Sequence, residues 1–177
     1  MVIDVTEMTE VMAALAPSSH ESDDGPTTEE RVWRALRSVM DPEIPVLSVV
    51  ELGIVRYVRF QGGRLRVGIT PTYSGCPATE VIRRSVREAL EQAQLGDVAL
   101  ETVLSPPWTS EWLSEEGRRK LEAFGIAAPT TPAASNVACP RCGSHGVERV
   151  SEFGSTPCKA HYRCSECLEP FDVFKCI

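Results

Sequence analysis

Two Cys-x-x-Cys pairs in the last third of the chain, Cys139-Pro-Arg-Cys142 and Cys164-Ser-Glu-Cys167, stand 21 residues apart. Each pair fits a tight knuckle that turns two sulfurs the same way. Two facing knuckles offer a metal four thiolates in a tetrahedron. The 39 residues from Cys139 to Ile177 are too few to bury a stable core unaided, so a staple of this kind decides whether they fold at all. Zinc is the expected staple, with rubredoxin-like iron and disulfides as alternatives. Cys158, Cys176, His145 and His161 share the stretch. The two cysteines lack a Cys-x-x-Cys partner, so the expected ligands are Cys139, Cys142, Cys164 and Cys167, and Cys158 and Cys176 are left to supporting or redox roles. Phe171 and Phe174 are expected to pack this ribbon.

Upstream, the pattern changes from staple to ordinary core. Residues 1–26 read as a flexible N-terminal segment: a short apolar stripe of Val5, Met8, Val11, Met12 and Leu15, then an acidic linker from Pro17 to Pro26. Thr27-Thr28-Glu29-Glu30 has the form of a capping box, and Val32, Leu36, Val39 and Met40 follow at helical spacing until Asp41-Pro42. Ile54–Phe60 and Leu65–Thr70 read as strands of a hairpin turned at Gln61-Gly62-Gly63. In the second, Leu65, Val67 and Ile69 give one buried face. A second helix should follow Cys76-Pro77 and bury Ile82, Val86, Ala89 and Leu90. A third strand is expected over Val98–Leu104, and a helical set over Thr109–Phe124 closed by Gly125. The order helix, hairpin, helix, strand defines a small α+β domain over 27–126, joined by a Pro, Thr, Ala and Ser-rich linker at 127–138 to the four-cysteine module at 139–177. With that linker between them, metal removal is expected to unfold the tail and spare the first domain.

Charge narrows the function. The chain carries 25 acidic against 18 basic residues, a net charge of −7, which is the opposite of a nucleic-acid footprint. The tail is balanced, with Arg141, Arg149, Lys159, Arg163 and Lys175 against Glu148, Glu152, Glu166, Glu169 and Asp172. The acidic start and the absence of a long apolar run give no signal peptide and no membrane span. Seven cysteines without a secretion signal point to a reducing, cytoplasmic setting where cysteine serves metal and chemistry.

The chemistry of the first domain centres on Cys76, in Tyr73-Ser74-Gly75-Cys76-Pro77-Ala78. Proline favours the first helical position, which sets Cys76 at or beside the N-cap, where free amides and the helix dipole favour a thiolate. A small cysteine filling space behind a turn is the alternative. Asp41-Pro42-Glu43-Ile44-Pro45 holds two carboxylates on a stiff bend; with a thiolate they make a hard-plus-soft set for iron, and without one they are solvated acids of a helix stop. Trp108 and Trp112, after Pro106-Pro107, are expected to form a lid over the core.

These stretches carry a resemblance. Asp41-Pro42-Glu43-Ile44-Pro45-Val46-Leu47, Glu51-Leu52-Gly53-Ile54 and Thr70-Pro71-Thr72-Tyr73-Ser74-Gly75-Cys76-Pro77-Ala78-Thr79-Glu80 resemble the PaaD branch of the small iron–sulfur-assembly domain family, and Pro107-Trp108-Thr109 and Phe124-Gly125-Ile126 extend the likeness. In the tail, Phe153-Gly154-Ser155-Thr156, Cys158-Lys159, Tyr162-Arg163-Cys164, Glu169-Pro170-Phe171 and Lys175-Cys176-Ile177 resemble the same branch. Glu51 stands where Asp is common there, and Pro157 where a small residue is common. The resemblance implies a fold: an iron–sulfur-assembly-like domain followed by a zinc ribbon.

It also implies a function: an accessory subunit of the phenylacetyl-CoA epoxidase system of aerobic phenylacetate degradation, a maturation factor and not an enzyme by itself. The implied partners are the di-iron oxygenase subunit, its flavin and [2Fe–2S] reductase, or both, with no nucleic acid and no membrane, and with a homodimer left open. Carried over by motif, Cys76, Asp41 and Glu43 would handle transient iron or an iron–sulfur cluster, while Zn fills the tail site. A stoichiometric structural or catalytic component of the epoxidase, or an electron carrier with iron in the four-cysteine site, remain the competing readings.

Overall fold

The structure is a computed structural model that describes residues 27–129 and 137–175. The stripe over Val5–Leu15, the acidic linker, Cys176 and most of the 127–138 linker lie outside the described residues.

Helix α1, Thr28–Arg37, starts where its capping box places it: Glu30 N–H donates to Thr27 Oγ1, and Thr27 N–H donates to the Glu30 carboxylate. Val32 and Leu36 face inward. The antiparallel hairpin of β1 (Val55–Gln61) and β2 (Arg64–Ile69) turns through Gly62 and Gly63, both at positive φ, which lets two residues close the turn with the twist of the strands. Leu65, Val67 and Ile69 are buried as their alternation requires. Helix α2, Ala78–Gln92, then crosses over so that β3, Ala99–Thr102, can pair parallel to β2. Ala78, Ile82, Val86 and Leu90, four residues apart, form the face it buries.

The helical set expected over Thr109–Phe124 is broken. A 3-10 turn over Ser110–Trp112 is followed by α3, Glu115–Phe124, because the Ser114 hydroxyl accepts the Gly117 N–H and starts a new helix. Gly125, at φ +90, ends it. Trp108 is buried, and its indole N–H donates to the Leu52 carbonyl at 3.0 Å, so it is a lid that is also latched. Trp112 lies under the Arg56 guanidinium.

The tail forms a second sheet in the order β4 (Ile126–Ala127), β7 (Pro170–Phe174), β6 (Lys159–Cys164), β5 (Val147–Ser151). Strand β4, at the end of the α+β domain, pairs parallel to β7. Strand parity splits the two phenylalanines expected to pack the ribbon. Phe171 and Val173 share one face and meet Cys139 and Cys164 in the ribbon core. Phe174 points to the other face and joins the larger core, its ring 5.9 Å from that of Trp108. Cys158 lies in that larger core as well.

Candidate functional site

In the ribbon the four sulfurs of Cys139, Cys142, Cys164 and Cys167 all lie within 4.8 Å of one another. Cys139 and Cys167 are 3.7 Å apart, and Cys142 and Cys164 3.6 Å. Four sulfurs about 2.3 Å from one ion stand about 3.8 Å apart, whereas a disulfide needs about 2.05 Å, so the spacing is that of a thiolate cage. The chain prepares the charge. Backbone N–H groups of Cys167 and Glu166 turn toward Cys164 and draw its thiol down to about 7. The Glu169 N–H favours a Cys167 thiolate too, but burial and the other three sulfurs outweigh it and push that thiol up to about 12. A bound cation would let the Cys167 thiol ionise beside its neighbours. His145 and His161 stay outside this set, His145 against the Val137 carbonyl and His161 against Asp172.

A second arrangement lies at the end of the first domain. The acids of the bend after α1 are not free in solvent: Glu43 is half-buried and Asp41 buried, and Asp41 Oδ1 accepts the backbone N–H groups of Glu43 and Ile44, both at 2.8 Å. This fixes the carboxyl and turns the Glu43 side chain into the same space. Cys76 follows Gly75, at φ +85, and precedes Pro77, which is the N-cap itself and not the first helical residue. The thiol is half-buried. Asp41, Glu43 and Cys76 line one cavity of about 20 Å³, with Ile69 and Phe174 among its apolar walls, and Cys158 lines it too. That volume admits roughly one water-sized occupant.

The groups around the cavity press on one another. Burial, countered by its two backbone bonds, holds Asp41 above the usual carboxylate range. Glu43 is raised by burial and by the charge of Asp41. Burial pushes the Cys158 thiol up, and Glu43 and Asp41 add to that. Burial raises the Tyr73 hydroxyl, and the charge of Cys76, a bond to that thiol and the charges of Glu43 and Cys158 add to it. Among the described residues the one cation acting on both acids and on Cys158 is Lys159, itself buried, with Nζ 3.6 Å from Asp172 Oδ2. Thiols and acids crowded into an atom-sized space suit a metal cation. They are not drawn together as the ribbon thiols are: among the described residues only the ribbon set brings three or more such ligand atoms within 4.8 Å of one another. The set is open, which suits loose holding.

The motif residues Asp41, Glu43 and Cys76 thus meet around one cavity. Sequence reasoning missed Cys158, which reaches them from 82 residues further along the chain. The signal available was negative: a tail cysteine beside a lysine, left over from the four ligands.

The family described as PaaD zinc beta ribbon domain matches residues 127–175, and that described as iron-sulfur cluster assembly protein matches residues 29–102. Over 86% of its length the chain is 44% identical to the Escherichia coli K12 protein called the putative 1,2-phenylacetyl-CoA epoxidase D subunit, and covers 95% of it. It is 36% identical to a Porphyromonas gingivalis W83 protein named Fe-S protein maturation auxiliary factor, over 53% of this chain and 90% of the other. A Bacillus subtilis 168 protein of the same description, YitW, is 34% identical over 52% of this chain and 92% of its own. The two auxiliary factors cover about half of this chain, while the Escherichia coli relative covers most of it.

Proposed function

Since the chain belongs to the family of phenylacetyl-CoA epoxidase D subunits, which join an iron–sulfur-assembly domain to a PaaD zinc ribbon, we propose that it is an accessory factor that hands iron, or an iron–sulfur cluster, to the epoxidase system. The client is the di-iron oxygenase subunit or its reductase. The observation that carries the reading is the cavity shared by Cys76, Asp41 and Glu43: at about 20 Å³ it takes an ion, while pockets for organic ligands run to several hundred Å³. A phenylacetyl-CoA has no room there. A soft thiolate beside two hard carboxylates holds iron without caging it, and cargo must leave. In the ribbon, zinc fits the four-thiolate spacing and the family's description, and its role is structural.

The test is the iron content and epoxidase activity of oxygenase and reductase purified from cells with this chain, without it, and with Cys76→Ser. Iron-poor, inactive client in the second and third cases, recovering on reconstitution with iron, is the expected result. Fully metallated client that works only when this chain is added back would make it a working component instead. Normal client iron with Cys76→Ser would remove Cys76 from the role.

A further inference from the structure

We propose that Cys158 is a second thiolate ligand of the Cys76 site, so that cargo iron is held between the α+β domain and the ribbon, with Asp41 and Glu43 completing the donors. Cys158 can take this part only if the Cys76 cavity handles metal at all, as proposed above. Four observations place it there. Cys158 lines the same cavity as Cys76, Asp41 and Glu43. It is 4% exposed and a free thiol, yet it belongs to the core of the other module. Its position is built: its carbonyl accepts the Lys175 N–H at 2.9 Å at the end of β7, and its sulfur lies 3.0 Å from Thr156 Oγ1. The buried Tyr73 hydroxyl is bonded to Cys76 and feels the charges of Glu43 and Cys158 as well, which puts both thiols in one electrostatic neighbourhood.

Cys158 is not a spare zinc ligand. It directly precedes β6, and the zinc knuckle residue Cys164 ends that strand. Six residues of extended chain put about 20 Å between them. One strand thus carries a structural metal ligand at one end and a cargo ligand at the other. Binding a divalent ion releases the proton of each thiol, and both protons leave to solvent. Two sulfurs on two modules packed against each other also give a way to let go: any loosening of the ribbon against the α+β domain pulls one ligand away.

The test is a cobalt(II) titration of the full chain with its ribbon already saturated with zinc, which outcompetes cobalt there. Thiolate-to-cobalt absorbance per bound ion counts sulfurs, calibrated on the same chain with cobalt in the four-thiolate ribbon. The wild type should give about half the calibrant intensity, and Cys158→Ser and Cys76→Ser about a quarter each, with cobalt bound roughly tenfold or more weakly. A wild type with only one sulfur's intensity overturns the proposal, and this reading stands even where Cys158→Ser does not fold. Cobalt binding lost in Cys76→Ser but unchanged in Cys158→Ser overturns Cys158 alone. No cobalt binding to the wild type, or none lost in either variant, overturns the Cys76 reading along with it.

Discussion

Gly53 sits in the tightest place of the motif stretch Glu51-Leu52-Gly53-Ile54. Its φ is +71, and a Cβ there would stand 2.5 Å from the Trp112 carbonyl oxygen and 2.8 Å from the Trp112 Cβ. Next to it the Leu52 carbonyl takes the Trp108 indole N–H, so the chain is pressed against the lid on both sides of the peptide. Gly62, at φ +63 in the hairpin turn, has nothing within 4 Å. The pair separates backbone strain from collision. Gly62→Ala should lose about 1 kcal/mol, the left-handed penalty alone. Gly53→Ala adds a clash with backbone that cannot rotate away, and should lose roughly 2–4 kcal/mol. Urea midpoints of the two variants against wild type are the measurement; equal losses would mean that the lid moves aside freely.

At the scale of elements, one carboxylate ties the loop after α1 to α3. Glu51 accepts the Ser48 N–H at 2.8 Å and the Ser48 hydroxyl at 2.9 Å, and its other oxygen meets Lys120 Nζ at 2.5 Å. Burial would raise its pKa, but the Lys120 and Ser48 bonds outweigh it and hold it below the ordinary 4.5. The folded state therefore binds this proton more weakly than the unfolded, so the stabilisation is complete above about pH 4.5 and fades as pH falls through the folded value. Glu51→Gln should lose about 1 kcal/mol at neutral pH, with Lys120 partly exposed, and the gap to wild type should close in acid. Because acid also strips the thiolate cage, the difference between the two proteins is the readout. A gap of equal size at about pH 7 and about pH 3.5 would mean the charge contributes nothing. Elements whose determinants are local were legible in the sequence: the capping box of α1, the Gly-Gly hairpin, the alternation of β2 and the paired knuckles. The break before α3 was harder, since Ser114 reads as a helical residue until its hydroxyl is seen to cap Gly117. Phe174 depended on strand parity against a partner the local pattern does not name. The meeting of Asp41, Glu43 and Cys76 came from motif resemblance, and Cys158 joined them only through the packing of one module on the other.

For the whole molecule, that packing changes what metal removal should do. A linker between independent units leads to loss of the tail alone. Instead β6 and β7 carry ligands or ribbon core on one face, while Cys158 and Phe174 serve the larger core. Without metal the sulfurs take their protons back and nothing joins the two knuckles, so the knuckles open and the short ribbon has no core sufficient to hold β6 and β7 in place. Phe174 then leaves Trp108, and its loss from a packed core is worth roughly 3–5 kcal/mol, a large part of what a domain this size holds in reserve. Stripping the metal with a chelator should lower the melting temperature read from tryptophan fluorescence, which reports the α+β domain through Trp33, Trp108 and Trp112, together with that of the ribbon, and added zinc should restore both. A tryptophan transition that stays at its metal-bound temperature while the ribbon's far-ultraviolet signal is lost would show that the two modules touch without sharing stability; the cavity at their junction would then keep Cys76 in place while Cys158 comes and goes with the metal.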